Sequence, residues 1–141
     1  MFHLPCFKNP ELLTLALVHP SYANEHFLPE NNQRLEFLGD AVLKAAFSDH
    51  LYRSHPYFSE GKMTIFRSEV EKNKQLAKFA RLLKLGDRLR LGRGAKSQKQ
   101  YQQTKVLADT FEALIGAYYL DSSLDSVIKY MAPFWSLMRV D

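Results

Sequence analysis

Apolar residues recur three and four positions apart along most of this 141-residue chain. That spacing places them on one face of a helix. Asn9-Pro10-Glu11 opens the first helix: Asn9 can cap it, Pro10 suits its first position, and Glu11 favours the positive end of its dipole. Leu12, Leu13, Ala16 and Leu17 form its stripe, and His19-Pro20 ends it. Ser21 to Asn32 is polar and mixed, and reads as a surface loop. The longest pattern runs from Gln33 to about Tyr52, with Leu35, Phe37, Leu38, Ala41, Val42 and Leu43 expected to be buried. His55-Pro56 closes it. Ser59 then caps a helix carrying Met63, Ile65, Phe66 and Val70, whose charged tail Glu69–Lys74 bends or breaks. Leu76, Ala77, Phe79, Ala80, Leu82 and Leu83 continue the period, and Gly86 is placed to stop it.

Residues 87–103 are the least helical stretch. Thr104 can cap the helix that follows. The last helix starts near Ser123 with Leu124, Val127, Ile128, Met131, Phe134, Trp135 and Met138, and Pro133 is expected to kink it. No strand alternation competes with these patterns. The expectation is a single all-α domain over residues 1–141, with five to seven helices and no significant sheet.

Two helical patterns carry acids where burial makes acids unwelcome. Glu36 and Asp40 are four apart, one turn above the other on one face. Asp109 and Glu112 are three apart within Leu107–Ala117, again on one face. Like charges so placed repel, so a purely structural helix gains nothing from them. A dication between them reverses the sign, because hard oxygen ligands suit Mg²⁺. Two helices that each present two inward acids are one way helical proteins build two-metal sites.

Composition sharpens this reading. A hydrophobic fraction of 46%, with Phe 10, Tyr 7 and Trp 1, supports a packed core rather than disorder. Cys6 is the sole cysteine, so no disulfide forms within the chain. That favours a reducing, cytoplasmic setting, with Cys6 a buried or half-buried small residue. Met1–Pro5 lacks the pattern of a signal peptide, and no apolar run approaches the ~20 residues a bilayer requires. His3, His26, His50 and His55 lack metal-ligand spacing.

The net charge of +4 is modest, but its distribution is not uniform. If four acids gather at one site, the remaining surface is more basic than the total suggests. Arg88 to Lys105 contains several cations and no acid. Within it Arg90, Arg93, Lys96, Lys99 and Lys105 are the candidates for sequence-neutral, salt-sensitive contacts to nucleic-acid phosphates.

Gln33-Arg-Leu-Glu-Phe-Leu-Gly-Asp-Ala-Val-Leu43 closely resembles the signature motif of the ribonuclease III family. Leu107-Ala-Asp-Thr-Phe-Glu-Ala-Leu-Ile-Gly-Ala-Tyr-Tyr-Leu-Asp121 resembles its second acidic motif. Shorter similarities lie at Ala16–Tyr22, Glu60–Met63 and Leu89–Gly94, in the family's order. The resemblance is to the bacterial-type endonuclease domain. It implies an all-α fold, a homodimer, no small-molecule cofactor, no membrane, and Mg²⁺-dependent cleavage of double-stranded RNA, with Mn²⁺ able to substitute. The products would carry 5′-phosphate and 3′-hydroxyl ends with short 3′ overhangs, in RNA processing or decay such as rRNA maturation.

The family's catalytic and metal-binding acids fall on Glu36, Asp40, Asp109 and Glu112. Glu112 and Asp40 are expected to touch metal most directly. Phe37 matches an aromatic that enters a socket on the partner subunit. Glu60 matches an acid near the cleavage valley. His19 and Ser21 lie in a family-typical segment and read as structural hydrogen-bonding residues. Gln33 stands where bacterial members usually carry Glu and Dicer-like members often carry Gln, and Glu71 stands where an apolar residue is usual.

The chain ends at Asp141, before the double-stranded-RNA-binding domain that bacterial members carry. Whether that module was removed or is naturally absent is open at this point. Two other functions compete. A catalytically silent RNA-binding or scaffold member would usually lack one of the acids. A helical phosphohydrolase for small molecules would need neither a basic loop nor a dimer.

Overall fold

The computed structural model describes residues 2–138. Among them the chain forms nine α-helices and one 3₁₀ turn: α1 (Pro10–Ala16), α2 (Pro20–Glu25), α3 (Gln33–Ser54), α4 (Glu60–Val70), α5 (Asn73–Leu82), α6 (Leu85–Arg88), α7 (Arg93–Ser97), the turn Gln100–Gln102, α8 (Thr104–Asp121) and α9 (Leu124–Trp135). The all-α expectation holds. The helix count exceeds it because three short helices arise where loops were expected. Among the described residues the sole β feature is a parallel bridge between Val18 and Arg90.

α8 is the axis of the molecule. Leu107, Ala108, Thr110, Phe111, Glu112, Ala113, Leu114, Ile115, Gly116 and Ala117 are all buried along it. A helix apolar nearly all round belongs inside a bundle. α3 packs along it most extensively, with α5 and α1 on other sides, and α9 closes against α3. Phe47, Phe79, Phe111, Phe134 and Trp135 fill the centre. Their rings tilt against each other, with Phe47–Trp135 centroids at 4.6 Å and Phe79–Phe134 at 5.2 Å. Phe134 and Trp135 are thus core, as the period of α9 predicts. Pro133 lies inside α9, near its end. The segment before α1 is tied down at both ends. The Asp121 carboxylate accepts from the Lys8 and Asn9 amides at 2.7 and 2.9 Å, and Tyr130 Oη donates to the His3 carbonyl at 2.6 Å.

The caps at Asn9 and Ser59 form as expected, each side chain accepting from a backbone N–H in the first turn, and Ser123 caps α9 in the same way. Other expectations need correction. Ser21–Asn32 is not a loop throughout, because α2 occupies its first part. His19 Nδ1 accepts from the Ser21 amide at 3.1 Å, and Pro20 presets the first turn. Ser21 Oγ then accepts from Gly92 N at 2.9 Å, so His19 and Ser21 are structural hydrogen-bonding residues.

Gly86 does not stop α5. The chain turns at Lys84, in the left-handed region at φ 54°, and Gly86 lies within α6 where a side chain would crowd the Tyr101 carbonyl. Residues 87–103 hold α7 and the 3₁₀ turn rather than open loop. Thr104 is the first residue of α8, with Gln103 at the cap position and no side-chain bond there. Cys6 is exposed, not buried. No helix among the described residues is long and apolar enough to cross a membrane.

Candidate active site

The two acidic pairs meet because α3 and α8 cross at glycine. A Cβ on Gly39 would collide with the Glu112 carbonyl, and one on Gly116 would collide with the Leu35 carbonyl. With neither Cβ present, the backbones touch. Glu36 and Asp40 from α3 then face Asp109 and Glu112 from α8, in an open cleft of about 420 Å³ also lined by Gln33, Phe37, Asn73 and Lys105. One carboxylate oxygen from each of Glu36, Asp109 and Glu112 lies within 4.8 Å of the others. Asp40 lines the same cleft beside Glu112, though outside that tight group of three. Its Oδ2 accepts from Lys44 Nζ at 3.1 Å. Asp109 is bonded in the same way by Lys105, also at 3.1 Å.

Glu112 is the most constrained of the four, with 8% of its surface exposed. Burial, then a carboxyl–carboxyl hydrogen bond with Asp40 and the charges of Asp40, Glu36 and Asp109, push its pKa up to about 8. Burial and then Asp109 raise Glu36 as well. Bonding to Asp40 and Asp109 raises Lys44 and Lys105 respectively. His19 feels the Asp109 charge, but burial dominates and lowers its pKa. Among the described residues neither Glu36 nor Glu112 has an ion-pair partner. An all-oxygen donor set with a buried, unpaired carboxylate fits a hard dication.

A pH dependence follows. Between about 4.5 and 8 the folded protein holds a proton on Glu112 that the unfolded chain has released. That stability is fully present below pH 4.5 and is lost as pH rises through 8. A dication held by the same carboxylates would compete with that proton. The melting temperature of the metal-free protein is therefore expected to fall from pH 5.5 to 8.5, and the stabilisation by Mg²⁺ to grow over the same interval. Scanning calorimetry with and without Mg²⁺ checks this. A Mg²⁺ effect that shrinks with rising pH contradicts it.

Phe37 and Ala41 are exposed, Phe37 at 84%, so the expectation that the whole apolar side of α3 is buried in this chain does not hold. Phe37 lines both the acidic cleft and a second hollow, whose apolar floor of Leu12, Leu15, Leu35, Leu38 and Leu120 is bordered by Glu30, Asn31 and Arg34. Glu60 is not brought into the cleft. It begins α4, accepts from Thr64 Oγ1 at 3.3 Å, and lines a separate groove with Tyr52, Met63 and Arg67.

The basic candidates divide in two. Lys105 lies on α8 over Asp109, at the cleft. The others are exposed on α7 and its flanks. Arg90 borders a hollow with Lys96, Tyr22 and Tyr101, and Arg93 pairs with Glu25 at 3.4 Å. Asn73, in the cleft wall, had no sequence signal beyond the charged break between α4 and α5.

Comparison with known proteins agrees with this geometry. The Ribonuclease-III-like family profile matches residues 9–134. A ribonuclease 3 from Nostoc is 46% identical over 140 residues, covering 96% of this chain. The chain spans 60% of that relative's length. The nuclease domain of ribonuclease III from Campylobacter jejuni superimposes with a TM-score of 0.86 at 30% identity, covering 96% of this chain and 91% of that one. Dicer from Pichia stipitis superimposes at 0.70 with 31% identity, covering 95% of this chain and 57% of that one. The crossed helices, the paired acids and the matched span all lead to one assignment: this chain belongs to the ribonuclease-III-like family.

Proposed function

We propose that this chain is a Mg²⁺-dependent endoribonuclease domain that cuts double-stranded RNA, works as a homodimer, and leaves 5′-phosphate and 3′-hydroxyl ends with short 3′ overhangs. The observation that carries this reading is the convergence of Glu36, Asp109 and Glu112 within 4.8 Å, with Asp40 beside them, where α3 and α8 cross in a chain of the ribonuclease-III-like family. When bound, the dication supplies Lewis-acid charge and makes water a nucleophile near neutral pH. Glu36, Asp40, Asp109 and Glu112 would hold it, all four lining the one cleft. Lys105, lining the same cleft, would supply a cation to a phosphate bound there. The Nostoc ribonuclease 3 matches 96% of this chain, and all four acids are present here, which does not favour a silent scaffold.

Arg90, Arg93, Lys96 and Lys99 supply the sequence-neutral attraction for a duplex backbone. A-form RNA offers shape and 2′-hydroxyls rather than readable base edges, so no base-reading residues are needed. Incubation with a long RNA duplex and Mg²⁺ tests the reading. The expected result is a ladder of short duplexes, lost on adding EDTA and absent with single-stranded RNA of the same sequence. An intact duplex at low salt overturns it.

The exposed Phe37 and the basin beside it support the dimer, since a large aromatic at 84% exposure next to an apolar hollow is a candidate contact between copies. Phe37→Ala is expected to weaken self-association while leaving the subunit's stability nearly unchanged, because its ring adds little to its own core. Sedimentation across a dilution series, beside a thermal melt under monomeric conditions, separates the two effects. A fully dimeric variant at low concentration contradicts the contact.

A further inference from the structure

Glu71, at the break between α4 and α5, points a carboxylate at α3. Lys44 Nζ is 3.1 Å from Asp40 Oδ2 and 4.0 Å from Glu71 Oε1. All three side chains are about half exposed, at 42%, 47% and 41% for Lys44, Asp40 and Glu71. Lys105 bonds Asp109 at the same 3.1 Å, but among the described residues it has no second carboxylate partner. The acid that Lys44 holds, Asp40, is the one outside the tight group of three. We infer that Lys44 is a displaceable counter-ion on Asp40, and that Glu71 is the acceptor to which its ammonium moves when a dication claims Asp40. The inference rests on the metal-site reading above and concerns two residues that reading does not use.

The chemistry suits the role. A lysine ammonium is a compact charge on a flexible stem, able to change acceptor by rotating a few bonds. It and a dication compete for the same Asp40 oxygen, so removing it favours the metal. Removing Glu71 takes away the second acceptor and holds the ammonium on Asp40, which disfavours the metal. Both groups are positioning residues that act through Asp40. Solvent screening of half-exposed pairs keeps each effect small, roughly two- to five-fold in metal affinity.

The test is Mg²⁺ titration by calorimetry, with Mn²⁺ in parallel, on the wild-type chain, Lys44→Gln, Glu71→Val and the double variant, in EDTA-treated protein without RNA. Lys44→Gln is expected to bind roughly two- to five-fold more tightly, and Glu71→Val more weakly by a similar factor. In the Lys44→Gln background, Glu71→Val is expected to change nothing. If Glu71→Val weakens binding equally in both backgrounds, Glu71 acts through its bare field and the exchange is wrong. If the wild type binds metal and Lys44→Gln binds it no better, the counter-ion role is wrong while the metal site stands. If the wild type binds neither cation, the metal site itself falls, and this inference with it. Far-ultraviolet circular dichroism of each variant, expected to match the wild type, confirms that the comparison is between folded proteins.

Discussion

Glu112→Gln is expected to abolish RNA cleavage and, at the same time, to raise the melting temperature of the metal-free protein at pH 8. The two effects have one cause. Glu112 is 8% exposed, faces three other carboxylates, and carries a pKa raised to about 8. Its negative charge is tolerable when a dication is present and a burden when it is not. Glutamine keeps the shape and removes the charge. The metal then loses its most enclosed ligand, and cleavage falls by at least about 100-fold, the scale seen when the support of a metal site is disturbed. Binding of the RNA duplex should persist, because the basic surface is untouched. The Mg²⁺-dependent rise in melting temperature should disappear. Cleavage assays and paired melts measure both. A variant that cuts normally, or whose metal-free form melts lower at pH 8, contradicts this account of Glu112.

Gly39→Ala is expected to cost about 3 kcal/mol of stability or more, the upper range for forcing atoms into a packed interior. The added methyl would meet the Glu112 carbonyl, which belongs to helix backbone and cannot swing aside as a side-chain tip can. α3 and α8 must separate, and the two acidic pairs separate with them, so any folded fraction should also bind Mg²⁺ poorly. Gly61→Ala is the control. Gly61 is also helical, yet its nearest neighbour is Ser59 Oγ at 3.9 Å. There alanine should gain about 0.5–1 kcal/mol by restricting the unfolded chain and improving helix propensity. Denaturant melts of the two variants should move in opposite directions. Equal small shifts would mean that the helices do not meet at Gly39.

Much of this was legible in the chain. The three-and-four spacing located α1, α3, α4, α5, α8 and α9, and acids at helical intervals inside apolar segments marked the cleft. Caps at Asn9 and Ser59 were readable because each side chain accepts from a backbone N–H within three residues of it. What escaped depends on distant partners. α2 is anchored by Ser21 to Gly92 and by Glu25 to Arg93, and nothing inside Ser21–Asn32 announces those bonds. Phe37 fits the apolar period of α3 perfectly well, yet period alone cannot tell a subunit's own core from a face left for another surface. Glu71 had no explanation in sequence because Lys44 lies 27 positions away, on another helix. Asp40 was expected among the most direct ligands. In the cleft it is also held by Lys44, one turn further along α3, a pairing that spacing permits but does not require.

The central claim is that acids from α3 and α8 share one dication. Anomalous scattering from Mn²⁺ in crystals of this chain tests it most directly. The account predicts a peak in the cleft, bonded to carboxylate oxygens from both helices, among Glu36, Asp40, Asp109 and Glu112. Well-ordered carboxylates turned to solvent at saturating Mn²⁺, with no peak between them, would contradict it.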